Sequence, residues 1–109
     1  MITWEDFEKL DIRVGTVLEV NDFEKARKPA YKLNVDFGTC GIKNCSAQVT
    51  PLYSKEELIG QQVVAVVNFP QKQIANFFSE CLVLGVYDEN KNVILLKPDK
   101  PVNNGLKVG

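Results

Sequence analysis

Ser54-Lys55-Glu56-Glu57-Leu58-Ile59-Gly60 (SKEELIG, 54–60) carries both ends of a helix within seven residues. Ser54 with Glu57 three places later is a capping box: hydroxyl and carboxylate each satisfy a backbone N–H left over at the helix start. Gly60 suits the position after the last turn, where a left-handed backbone closes the helix. A helix this short is unstable alone in water, so it must dock on something. Its flanking segments decide the fold.

Upstream, DIRVGTVLEV (11–20) alternates. This predicts a strand with Ile12, Val14, Thr16, Leu18 and Val20 on one face and Arg13, Gly15, Val17 and Glu19 on the other. NDFEKARKPA (21–30) breaks the pattern and carries Pro29, which makes it a loop. Tyr31, Leu33 and Val35 alternate with Lys32, Asn34 and Asp36 in a second strand. GTCG (38–41) is turn chemistry, and IKNCSAQV (42–49) reads as a third, weaker strand. Downstream come a Val-rich strand from Gln62 to Phe69, then CLVLGVY (81–87) and NVILLK (92–97), joined through the polar turn DENK. Pro98, Pro101 and Asn103-Asn104-Gly105 break up the tail.

Three strands, a short helix, then two or three strands is the order of the OB-fold, a mostly β, five-stranded, partly open barrel. Another small α+β barrel or an SH3-like barrel is the alternative, and the capped helix after the third strand favours OB. A second short helix opens the chain, with Thr3 as N-cap and Asp6 in the Glu position of the box. It presents Trp4, Phe7 and Leu10 at three-residue spacing, and must dock on its own core or on a partner. The 109 residues match the commonest size of one domain, here 1–109, and suffice to bury a core.

Composition narrows the function. There is no histidine, which removes the commonest general base and the usual triads. Neither a phosphate loop nor a paired-glycine fingerprint is present, so an enzyme is the least favoured class and no cofactor is expected. Carboxylate dyads stay open, since fourteen acids offer many pairs. Three cysteines, Cys40, Cys45 and Cys81, are an odd number, which argues against a disulfide framework. Cys40 and Cys45 lack the further ligands that structural zinc needs, so they read as small semi-buried thiols in a reducing compartment. MITWEDFEKLD (1–11) is acidic where a signal peptide would be basic, and VVAVV (63–67) is too short to cross a bilayer. A soluble cytoplasmic protein without membrane insertion is expected.

Net charge is −1, but its distribution is uneven. Residues 1–24 hold seven acids against Lys9 and Arg13, a balance of −5, and residues 25–43 have a balance of +4. An anionic partner would therefore be met locally. The basic loop KARKPAYK (25–32) joins strands one and two. FPQKQIANFFSECLVLG (69–85) begins with the connector between strands four and five. In OB-folds these two loops flank the oligonucleotide-binding face. Lys28, Lys32 and Lys72 would neutralise phosphate there, while Tyr31 and Phe77 or Phe78 would stack bases. Gln73, Asn76 and Ser79 would hydrogen-bond bases, sugars or backbone. The plainer reading is a solvated charged loop, one core and one half-exposed phenylalanine, and Ile74 packing with Phe78 across a helical turn. Only the convergence of both loops raises contact above it.

Four blocks carry a resemblance: DFEKLDIRVGTV (6–17), ARKPAYKLNVDFGTCGIK (26–43), VVNFPQKQIANFFSECLVLG (66–85) and PDKPVNNGLKVG (98–109). In this order they resemble the CsaA proteins and, beyond them, the tRNA-binding domain appended to methionyl-tRNA synthetases. The resemblance implies an OB-fold. It also implies a homodimer whose interface uses the N-terminal helix, hence Trp4, Phe7 and Leu10, and the C-terminal extension. For function it implies tRNA or other structured RNA as partner, without DNA specificity, and chaperone activity towards unfolded precursor polypeptides in protein export. Lys32 falls where the tRNA-binding branch has a lysine, and Ser79 matches the serine of its Ser-Gln-Gly-Met block. Here that block reads Ser79-Glu80-Cys81-Leu82, a departure towards the CsaA branch that puts an acid beside the phosphate path. RNA binding, a peptide-binding chaperone and a structural dimer module are the three functions left to weigh.

Overall fold

The structure, a computed structural model, describes residues 1–109. The chain forms α1 (Trp4–Glu8), β1 (Ile12–Asp22), β2 (Tyr31–Asp36), β3 (Ile42–Ala47), α2 (Lys55–Leu58) and β4 (Gln62–Val66). Five short strands come after: β5 (Lys72–Ile74), β6 (Phe77–Ser79), β7 (Leu82–Val83), β8 (Gly85–Tyr87) and β9 (Val93–Leu95). Both capping boxes form. Thr3 Oγ1 accepts from Asp6 N at 3.2 Å and Ser54 Oγ from Glu57 N at 3.2 Å, each answered by the acid's carboxylate. Gly60 takes φ +86° and donates its N–H to Val17 O at 2.8 Å. This fastens the end of α2 to β1 and places Leu58 in the core.

One five-stranded sheet runs β3-β2-β1-β4-β7, every neighbouring pair antiparallel. Four such steps leave β3 and β7 parallel when the sheet curls round. The seam is closed just before β7, where Glu80 N donates to Asn44 O at 2.7 Å. The Glu80 carboxylate accepts from Asn44 N at 3.0 Å, and Ser79 Oγ accepts from Ser46 N at 3.4 Å. A five-stranded, nearly closed barrel with one small helix at the N-terminus and one after β3 is the OB-fold arrangement.

Three expectations shift. The alternation of β1 reverses midway, because a bulge at Leu18 breaks the register between Val17 and Glu19 against β2. An extra residue in one strand turns the residues beyond it to the opposite side. Hence Val17 and Val20 line the core while Leu18 is 40% exposed. Before the bulge, Ile12 pairs with Val66 and Val14 with Val64, on the outer face of the barrel. The fourth strand ends at Val66, leaving Phe69 exposed. CLVLGVY divides into β7, the fifth barrel strand, and β8, which forms a separate hairpin with β9.

The C-terminal extension completes β1 where β2 does not reach. Gly105 N donates to Val14 O at 2.7 Å, Val14 N to Leu106 O at 3.0 Å and Val108 N to Ile12 O at 2.8 Å. Asn104 Oδ1 accepts from Thr16 Oγ1 at 2.7 Å and Gln62 Nε2 at 3.2 Å. No helix is long and apolar enough to cross a membrane.

Candidate nucleic-acid interface

FPQKQIANFF does not form a helical turn. Lys72, Gln73 and Ile74 pair with Ser79, Phe78 and Phe77 in a hairpin turning at Ala75 and Asn76. Ala75 has φ 53°, a left-handed backbone that an L side chain disfavours. Gln73 Nε2 donates to Ala75 O at 3.1 Å and braces that turn. Strain of this kind persists only where surrounding contacts enforce it, and it concentrates at binding sites.

Directly opposed residues share a face of a hairpin. Phe77 and Ser79 therefore look one way, towards the barrel, and Gln73 and Phe78 look the other. Phe77 packs edge-to-face on Phe23 with ring centroids 5.3 Å apart. Lys32 projects from β2, where Tyr31, Leu33 and Val35 face the core. Its ammonium lies 5.1 Å from the Phe23 centroid and 5.5 Å from that of Phe77, within cation–π range. The loop after β1 and the hairpin after β4 thus meet over the outer side of β2. Lys25, Lys32 and Asn76 line one small cavity of about 130 Å³ with Asp22, Phe23 and Glu24. Asp22 is already paired, its carboxylate 2.9 Å from Lys55 Nζ. That hydrogen bond raises the Lys55 pKa from its ordinary value.

The residues expected at the site separate into groups. Lys32, Asn76 and Phe77 are in this cluster, and Lys72 and Gln73 stand exposed on the same hairpin. Phe78 is its exposed aromatic, at 51%. Lys28 is exposed on the loop that carries Phe23. Ser79 is spent on the seam, accepting from Ser46 N and donating to Cys81 O at 3.3 Å. Glu80 is likewise held across that seam by Asn44 N. Tyr31 is a correction. Its ring is in the core, 8% exposed, and its hydroxyl donates to Tyr53 O at 2.9 Å, so it offers no face to a base. Phe23 carries no such signal in the sequence, being a single aromatic in a charged loop with nothing to pair it with Phe77. Trp4 and Leu10 are exposed on and after α1, and Phe7 is half-buried. A larger cavity, about 410 Å³, lies between α2 and β9 and is lined by none of these residues. No group of three or more metal-ligating side chains is present.

The same fold occurs in known proteins. The tRNA binding domain model matches residues 12–107. A crystal structure of the chaperone CsaA of Bacillus anthracis is 51% identical, with TM-score 0.95, over 100% of this chain and 99% of that one. The CsaA chaperone of Picrophilus torridus is 55% identical, TM-score 0.94, with both chains covered in full. The methionine–tRNA ligase of Nanoarchaeum equitans is 40% identical over 108 residues, 99% of this chain but 14% of that enzyme. The chain thus spans about one seventh of the synthetases it matches. Barrel, helix placement and near-complete coverage agree: the chain belongs to the tRNA binding domain family, alongside the CsaA chaperones.

Proposed function

We propose that this chain is a non-enzymatic binding module that holds tRNA or another structured RNA on the surface where the β5–β6 hairpin meets the loop after β1. The supporting observation is the Lys32–Phe23–Phe77 cluster, which fixes a cation where two otherwise separate loops converge. Lys28, Lys32 and Lys72 neutralise phosphate, and Phe78 provides a stacking face with Gln73 beside it. Asn76 hydrogen-bonds sugar or base at the hairpin tip. Nothing in this set reads a DNA groove. The match to synthetases, confined to a small part of those enzymes, fits a grip without chemistry.

A second ligand is favoured by the exposed Phe78 and by the likeness to proteins named as chaperones. On this reading the same face takes unfolded precursor polypeptides bound for export from the cytoplasm. Salt separates the two ligands. With about five cations on phosphate, log K for tRNA falls against log salt with a slope of about −3 to −4, whereas apolar peptide binding stays nearly flat. Titrating total tRNA and an unfolded precursor at two salt levels measures both. Lys28→Ala with Lys32→Ala is expected to flatten the tRNA slope by about 1.4. Absence of tRNA binding at low salt ends the RNA reading, and an unchanged slope in the double variant moves the site elsewhere.

A homodimer completes the proposal. Trp4 is 81% exposed on a five-residue helix, too short to stand on its own helical propensity. A second copy covering Trp4, Phe7 and Leu10 gives that helix its docking partner. Light scattering is expected to return twice the chain mass for the wild type and a shift towards monomer for Trp4→Asp. A wild-type monomer at micromolar concentration refutes it.

A further inference from the structure

The β3–β7 seam contains a pair of thiols that the binding face does not use. Cys45, on β3, is completely buried, and Cys81, immediately before β7, is 6% exposed; both belong to the core cluster. Their neighbours bind one another across the seam through Glu80 N and Asn44 O. That bond, between the residues just before each cysteine, holds the two chain segments together beside the thiols, as a disulfide requires. Both side chains turn to the same interior, in one core cluster, near enough for each thiol to shift the other's ionisation.

We propose that Cys45 and Cys81 form a reversible intramolecular disulfide when a two-electron oxidant such as hydrogen peroxide reaches the seam. The two thiols differ in readiness. The adjacent Cys45 thiol, helped by Lys43, holds the Cys81 pKa below its ordinary value against the opposing effects of burial and the Glu80 carboxylate. The neighbouring Cys81 and burial hold Cys45 well above its ordinary value, in the thiol form. Cys81, the less deeply buried sulfur and the one beside the thinly paired β7, attacks first as its thiolate. Its sulfur forms a bond to one peroxide oxygen, the O–O bond breaks, and the departing oxygen takes up a proton as water. Cys45 then gives up its proton and attacks the sulfenic sulfur of Cys81. The S–S bond forms, the hydroxyl leaves as a second water, and the two thiols have supplied two electrons to one peroxide. The oxidant enters at this place because β7 pairs with β4 over only two residues, and short, sparsely bonded strands open first.

The bridge would close a loop of roughly 35 residues that contains α2, β4 and the whole β5–β6 hairpin. It replaces the hydrogen-bonded latch at Ser79 and Glu80 with a covalent one at the root of the binding hairpin. Cys40, half-buried on the turn after β2 and outside this pair, is the internal control.

The test is peroxide titration of the reduced full-length protein, followed by blocking of free thiols and peptide mapping. The expected product is monomeric on a denaturing non-reducing gel, two hydrogens lighter, with a Cys45–Cys81 linked peptide and Cys40 blocked. Its melting midpoint rises by about 10 °C, the scale set by loop length and domain size, and dithiothreitol reverses both changes. Cys40→Ser should retain the linkage and Cys81→Ala abolish it. A linkage through Cys40, a cross-link between chains, or oxidation of Cys40 alone at doses that exhaust its thiol would overturn the assignment. These outcomes are read on the wild-type chain, so a poorly folding variant does not blur them.

Discussion

Phe37→Ala is expected to cost about 3–5 kcal/mol of folding stability, the range for emptying a buried aromatic site. Whole domains have only about 5–15 kcal/mol to lose. Phe37 is fully buried at the end of β2, where several parts of the barrel depend on its ring and backbone. A Cβ on Gly15 would stand 2.7 Å from that ring, so β1 lies directly against it and a glycine is needed there. Its N–H donates to Gly41 O at 2.9 Å and its carbonyl accepts from Cys40 N at 3.2 Å. Its carbonyl oxygen also lies so close to Gly105, 2.5 Å from where a Cβ would be, that the C-terminal extension rests on this same residue. Urea denaturation is the measurement, read as a lower midpoint at unchanged slope. A loss under about 1 kcal/mol would mean that the cavity collapses and that Phe37 is not the keystone of the barrel.

Phe78→Ala carries the largest expected effect on binding. If one base stacks on this ring, its removal weakens tRNA affinity by about 5- to 150-fold, from about 1–3 kcal/mol per stacked base. Thermal stability should hardly change, because the side chain is half in solvent and faces away from the barrel. Phe77→Ala is the contrast. It strips Lys32 of one aromatic face and Phe23 of its edge-to-face partner, so both stability and binding should fall. Fluorescence anisotropy with labelled tRNA and a melting curve on each variant separate the two. Unaltered affinity in Phe78→Ala would leave the hairpin as a purely electrostatic wall and shift the proposal towards Lys28, Lys32 and Lys72.

Much of this fold is legible in the sequence because its decisive signals are local. A capping box needs only residues three apart, and both boxes can be read at Thr3–Asp6 and Ser54–Glu57. The period-two pattern of β2 likewise places Leu33 and Val35 inside. That pattern puts Tyr31 on the same side, so its burial is written into the sequence beside the stacking role expected of it. The bulge at Leu18 is not legible, since Val17 and Leu18 are both apolar and alternation cannot say where an extra residue enters. The hairpin at 72–79 is hidden for a different reason. Its turn residues, Ala75 and Asn76, lack the glycine that usually announces a tight two-residue connection. Phe23 shows the same limit at the site: its partners Lys32 and Phe77 come from distant parts of the chain, and only the closed barrel brings the three together.

The bulge also bears on how such a barrel changes over time. On both sides of Leu18 the strand furnishes the oily lining of the cylinder, Val17 before it and Val20 beyond; only the first half also turns a valine and an isoleucine outward, beside the bed on which the tail lies. A shift of one position in the first half would spoil lining and bed together, whereas a shift beyond the bulge would spoil the lining alone. The bed is therefore tied to part of the lining, and only the stretch beyond the bulge can drift without disturbing the tail, although a single unbroken ribbon of eleven residues serves both surfaces.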